Sequence, residues 1–129
     1  MNPTKETPCV LVCDPDPQAQ KLIGEYLQES SFKVFFSRSS EALETALTEQ
    51  CPFSAVLIDL PNPVKNSCRN VVMAIKSVAP RAQIIFMSRL ADDVLWSQVL
   101  AQGAYDLLPK PPDRKELLRA VTGALQQVA

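Results

Sequence analysis

Ala55-Val56-Leu57-Ile58-Asp59-Leu60-Pro61-Asn62-Pro63 is the stretch on which the fold turns. Ala55 to Ile58 form a short apolar run that ends directly on an acid, and two prolines follow almost at once. A run of this kind, bounded by turn residues, suits a strand buried on both faces of a parallel sheet. Pro61 and Pro63 cannot continue it as a central strand, because proline lacks the N–H that the ladder needs. Asp59 is therefore expected at the carboxyl end of the strand, the edge where open α/β sheets bind their ligands. By itself this carboxylate is equally compatible with a turn or a cap, so its meaning depends on what ends the other strands.

Cys9-Val10-Leu11-Val12-Cys13 is a second apolar run, and it too stops on acids, Asp14-Pro15-Asp16-Pro17. Asp16 before Pro17 is a helix start, with Asp as N-cap and Pro at the first helical position. Ala19, Leu22, Ile23, Tyr26 and Leu27 then recur at helical spacing, which predicts a helix ending near Ser30-Ser31. Lys33 to Ser37 reads as a strand, followed by a helix capped at Ser39 or Ser40 with Ala42, Leu43, Ala46 and Leu47 inward. Beyond the proline loop, Val71, Val72, Ile75 and Val78 mark a third helix, stopped by Pro80. Gln83 to Ser88 is the fourth strand and ends in a hydroxyl. Val94, Leu95, Val99 and Leu100 lie on a fourth helix with Gly103 as its C-cap. Asp106-Leu107-Leu108-Pro109 is a short fifth strand running into Lys110-Pro111. A final helix opens at Asp113-Arg114-Lys115-Glu116, a start resembling a capping box, and carries Leu117, Leu118, Val121, Ala124, Leu125 and Val128.

Strand and helix thus alternate five times. Such a pattern predicts an α/β fold, a doubly wound (βα)5 three-layer sandwich with right-handed crossovers and a five-stranded parallel sheet in the order 2-1-3-4-5. Val10, Val12, Val56, Leu57, Ile58, Ile85 and Phe86 are expected in its core. All strand carboxyl ends share one edge, so Asp14, Asp59, Ser88 and Lys110 should converge there. Individually, Asp14 could turn the chain, Ser88 could be a satisfied loop hydroxyl and Lys110 a solvated lysine. Together they mark the functional site.

The 129 residues suffice for one domain with a real core, expected over residues 9–129 after a polar, proline-rich tail at 1–8. Net charge is −1 with Lys and Arg scattered, which argues against direct nucleic-acid binding by this domain. No apolar run approaches a membrane span and no signal-peptide core precedes the first strand, so the chain is expected in the cytoplasm. Cys9 and Cys13 share a strand face with Cα atoms about 13 Å apart, too far for a disulfide. The chain has no histidine, so a zinc site would need all four thiolates or help from carboxylates. Reduced, mostly buried thiols are expected at Cys9, Cys13, Cys51 and Cys68.

An acid ending the first strand, an acid ending the third, a hydroxyl ending the fourth and Lys-Pro ending the fifth resemble the receiver domain of two-component response regulators. The resemblance covers residues 9 to 128. It implies that Asp59 accepts a phosphoryl group and that Asp14, Asp59 and the backbone carbonyl of Pro61, with Asp16 as a further candidate, hold Mg²⁺. Ser88 and Lys110 would contact the phosphoryl group, and a cis Lys110-Pro111 bond would pin the ammonium. The chemistry is consistent: phosphoryl transfer to a carboxylate brings anions together, and cations must offset their repulsion.

Several positions depart from the family pattern. Pro15 stands where the second acid of the pair would ligate the metal, which predicts weak Mg²⁺ binding. Loss of a direct ligand should cost at least the ~10–100-fold typical of changes behind the ligands. Arg89 follows Ser88 where a small residue is usual, and should screen Asp59 or bind the phosphate. Leu107 replaces the switch aromatic of the fifth strand, with Tyr105 nearby. The resemblance implies a signalling phosphoacceptor, at most catalysing its own phosphotransfer, rather than an enzyme. Expected partners are a histidine kinase or phosphotransfer protein, and a downstream protein or a separate output domain. The latter would be met through the fourth helix, fifth strand and fifth helix, and a homodimer is among the expected assemblies. A pseudo-receiver interaction module, no longer dependent on Mg²⁺, is the alternative. A flavodoxin-like cofactor binder is set aside, because the loop after the first strand lacks a Gly- or Ser/Thr-rich phosphate cradle and the chain has only three glycines.

Overall fold

The computed structural model describes residues 7–28, 30–38, 53–60 and 67–127. The expected helix around residues 42–47, most of the N-terminal tail and the Pro61–Pro63 loop lie outside them. The elements in order are β1 (Cys9–Cys13), α1 (Pro17–Leu27), β2 (Lys33–Ser37), β3 (Ala55–Asp59) and α2 (Ser67–Val78). They continue with β4 (Gln83–Ser88), α3 (Asp93–Ala101), β5 (Asp106–Pro109) and α4 (Arg114–Gln127). The sheet is parallel throughout, in the order β2-β1-β3-β4-β5.

Apolar residues in β1, β3 and β4 point alternately to two layers because strand side chains alternate faces. Leu11, Val56, Ile58, Ile84, Phe86 and Leu107 pack with Cys68, Val72 and Ile75 of α2 and with Leu95 and Val99 of α3. Val10, Val12, Leu57, Ile85, Met87 and Leu108 pack with Ile23 and Leu27 of α1 and with Leu117, Val121 and Ala124 of α4. All seven strand residues expected in the core are buried. This two-faced burial is what a parallel sheet between helical layers demands.

Helix starts follow the sequence signals. The Asp16 side chain accepts from the Gln18 N–H at 3.0 Å with Pro17 opening α1. Asp113 accepts from the Glu116 N–H at 3.2 Å, one half of the expected capping box. Gly103 follows α3 at φ +105°, a conformation that favours glycine. Helix α1 stops at Leu27, earlier than Ser30-Ser31, where Ser30 N–H turns back onto the Leu27 carbonyl. No apolar residue between Gln28 and Ser31 offers burial for another turn.

One expectation is overturned. Cys9 is disulfide-bonded, whereas Cys13 and Cys68 are buried reduced thiols. The strand-spacing argument excluded only Cys13 as a partner for Cys9 and said nothing of cysteines elsewhere; Cys51 lies outside the described residues.

Candidate functional site

Each site residue stands beside a rung that ties neighbouring strand ends together. The Asp14 N–H donates to the Ser37 carbonyl at 3.0 Å, joining the ends of β1 and β2. Just past Asp59, the Leu60 N–H donates to the Met87 carbonyl at 2.7 Å, joining β3 to β4. The Lys110 N–H donates to the Ser88 carbonyl at 3.0 Å, holding the loop after β5 against β4. The Lys110-Pro111 peptide is cis. These rungs bring three chain segments to one point.

At that point the Lys110 ammonium donates to Asp14 Oδ2 at 2.7 Å and to Asp59 Oδ1 at 2.8 Å. The Lys110, Asp14 and Asp59 side chains are only 8%, 0% and 10% exposed. Burial alone would lower the lysine pKa, but its two carboxylate partners outweigh that, and the pKa lies above the usual 10.5. Ser88 is buried, and its Oγ accepts from the Leu90 N–H at 3.0 Å. That bond leaves the hydroxyl hydrogen available for donation.

Asp14, Asp59, Ser88 and Lys110 were all legible as strand-end residues, and Asp14, Asp59 and Lys110 meet directly. Asp16 does not join them in a shared ligand cluster. Its Oδ1 is taken by the α1 cap, and among the described residues no three Asp, Glu, Cys or His side chains converge on one point. Two carboxylates that both reach one ammonium can share a small cation, and hard oxygen donors suit Mg²⁺. The donor set therefore fits the metal in kind, with one carboxylate fewer than the family's acid pair supplies. Pro15 is exposed in the turn between Asp14 and Asp16.

Arg89 lies on an exposed turn directly after β4, and among the described residues it makes no ion pair. The two residues expected to share the switch region face different layers. Leu107 is buried against the α2–α3 side, while Tyr105 packs on the α1–α4 side with its hydroxyl beside Gly123.

Two features escaped the sequence reading. Cys13 adjoins the site: burial raises its pKa above the ordinary 9.0, a hydrogen bond with Ser37 lowers it, and the Asp14 and Asp59 charges raise it further. Gln20 on α1 donates from Nε2 to the Asp14 carbonyl at 2.8 Å and to the Ser37 carbonyl at 3.3 Å. Its only sequence signal is a polar residue on a first turn otherwise read for its apolar stripe.

The fold and this strand-end site define a doubly wound α/β domain with a lysine-bridged acidic pocket. Comparison with known proteins makes the class specific: the chain matches the response regulator receiver domain family over residues 10–122 and belongs to it. It is 27% identical over 118 residues to a DNA-binding transcriptional regulator NtrC from Bradyrhizobium sp. (strain RP501 Parasponia). That match covers 92% of this chain and 24% of the relative, so the chain spans about a quarter of that protein's length. A response regulator from Thermotoga maritima has a similar structure, with TM-score 0.83 and 22% identity, covering 94% of this chain and 99% of that one. The beryllofluoride-activated NtrC4 receiver domain dimer matches with TM-score 0.81 and 19% identity, covering 94% and 98%. The protein is thus a receiver domain of two-component signal transduction. Receiver domains are signalling modules that bind Mg²⁺ in their acidic pocket and interact with histidine kinases and output domains. None of the described helices is long and apolar enough to cross a membrane.

Proposed function

We propose that Asp59 is the phosphoacceptor, that Lys110 and Ser88 contact the incoming phosphoryl group, and that Asp14 and Asp59 hold Mg²⁺ weakly because Pro15 supplies no ligand. The observation that carries this reading is the single ammonium bridging Asp14 and Asp59 at 2.7 and 2.8 Å. A phosphohistidine of a kinase or phosphotransfer protein is the donor. An Asp59 carboxylate oxygen attacks phosphorus, the O–P bond forms and the N–P bond breaks. Its electron pair returns to the imidazole, which takes up a proton. Lys110 offsets the charge of the approaching anions, and the Ser88 hydroxyl donates to a phosphoryl oxygen. Asp14, Asp59 and the backbone carbonyl of Pro61, which lies outside the described residues, would hold Mg²⁺, and the ion would supply further charge neutralisation. Asp16 would add a further carboxylate near the ion, with its Oδ1 already committed to the α1 cap.

Around this site, Arg89 controls access to Asp59, and Leu107 and Tyr105 respond to modification from opposite faces of the sheet. The face made by α3, β5 and α4 meets a downstream protein, a separate output domain or a second copy of the chain, in the cytoplasm. Support for the face comes from exposed apolar side chains at Val94 and Trp96. Any DNA binding belongs to a segment other than this domain.

The test is an intact-mass spectrum after incubation with acetyl phosphate and Mg²⁺. One added phosphoryl group, absent from Asp59→Asn, is the expected result. No labelling of a folded protein at any Mg²⁺ concentration would leave a pseudo-receiver interaction module in its place.

A further inference from the structure

Two prolines leave the β1–α1 loop short of hydrogen-bond donors. Of residues 14–17 only Asp14 and Asp16 carry an N–H, and both are used. The Asp14 N–H goes to the Ser37 carbonyl, and the Asp16 N–H goes to Asp14 Oδ1 at 2.9 Å. Nothing within the loop can donate to the Asp14 carbonyl. Gln20 reaches it from the first turns of α1 at 2.8 Å, and the same Nε2 also reaches the Ser37 carbonyl at 3.3 Å. A primary amide nitrogen has two hydrogens, so it can serve both carbonyls, and only the nitrogen end of the amide suits that position. The Gln20 main-chain N–H adds a bond to the Asp16 carbonyl at 3.1 Å.

Asp14 is consequently held at every polar atom. Its N–H is taken by Ser37, its carbonyl by Gln20, its Oδ1 by Asp16 and its Oδ2 by Lys110. The residue is fully buried, so water cannot replace a lost partner without opening the loop. We propose that the Gln20 side-chain amide is the clamp that aims the Asp14 carboxylate at Lys110, making Gln20 a positioning residue for the phosphotransfer pocket. The clamp fixes the orientation of the peptide that follows Asp14, which is the peptide that proline leaves without an N–H. With both flanking peptides fixed and Oδ1 tied to Asp16, Oδ2 has one direction left, towards the ammonium. The importance assigned to the clamp rests on reading Asp14, Asp59 and Lys110 as the phosphoryl-transfer site; its geometry does not.

Gln20→Met keeps the length of the side chain and removes the donor. In the metal-free protein two signals report the clamp: hydrogen exchange of the Asp16 amide, which is bonded to the Asp14 carboxylate, and the side-chain ¹⁵N resonance of Lys110. The variant should speed Asp16 exchange roughly 5- to 10-fold, as loss of about one hydrogen bond implies, and should shift the Lys110 resonance. Its urea midpoint should fall by no more than the loss of about one buried hydrogen bond implies, with an unchanged slope, which separates positioning from collapse of the fold. Calorimetric Mg²⁺ affinity should fall by about 10-fold, as for other groups that orient a ligand. Gln20→Asn, too short to span both carbonyls, should behave alike and serves if the methionine variant folds poorly. An unchanged Asp16 amide and Lys110 resonance would overturn the proposal, as would unchanged Mg²⁺ affinity in a variant whose parent binds the ion. If the parent binds no Mg²⁺ while the Asp16 and Lys110 signals still respond, the metal-assisted reading fails and the clamp stands.

Discussion

Lys110→Met should destabilise the fold as well as impair the site, and the size of the loss follows from burial. Methionine keeps an apolar stem of similar length and deletes the ammonium. Asp14, with a side chain 0% exposed, and Asp59, at 10%, would then face each other without a shared cation. Breaking a buried ion pair by removing one partner costs about 3–5 kcal/mol, because an uncompensated charge stays buried. For 129 residues, an unfolding entropy of about 2.1 cal/mol/K per residue totals about 0.27 kcal/mol/K. The expected fall in Tm is therefore about 11–18 °C. Urea unfolding at neutral pH measures the free energy directly, with an unchanged slope confirming that the loss is one of stability. Adding Asp59→Asn to the Lys110→Met protein removes the neighbouring like charge and should restore about 0.5–3 kcal/mol, the range of coupling within one ion-pair network. A Lys110→Met protein within about 1 kcal/mol of the parent would refute the reasoning, because the pair would then behave like an exposed one.

Three further outcomes are expected. Pro15→Asp should tighten Mg²⁺ binding by at least about 10-fold and raise labelling of Asp59. Equal affinity in parent and variant, measured by calorimetry, would mean that Asp16 or another group already fills the ligand position. Arg89→Ala should alter the rate at which Asp59 is labelled by acetyl phosphate or loses its label, and matched rates in both proteins would remove Arg89 from the pathway of access. Alkaline pH should destabilise the protein. The Lys110 pKa is raised, so its contribution is fully present below about 10.5 and is lost as pH rises through the higher folded value. The buried Cys13 thiol, also raised, acts in the same direction above its ordinary 9.0. A Tm that climbs between pH 9 and 11 would contradict both assignments.

Much of the fold was readable because its signals are local. Short apolar runs, Asp16-Pro17 and Gly103 report strand and helix limits through backbone chemistry that involves only neighbouring residues. Five such units in alternation leave little choice but a parallel sheet, and a parallel sheet brings its carboxyl ends to one edge. Asp14, Asp59, Ser88 and Lys110 could therefore be named as a group from their positions in the chain. Their distances could not. Lys110 and Asp14 are 96 residues apart, and only the sheet order with its rungs at Ser37, Met87 and Ser88 determines that one ammonium reaches both carboxylates.

Tertiary packing also decided matters on which the residue pattern was silent. Tyr105 precedes β5, so the alternation of the strand does not govern its side chain, and it lies in the opposite layer from Leu107. Cys9 is bonded because disulfide pairing depends on proximity in space rather than on spacing within one strand. Gln20 looked like an ordinary polar residue of an amphipathic helix. Its role depends on two carbonyls supplied by the ends of different strands, an arrangement that exists only once β1, β2 and α1 have come together.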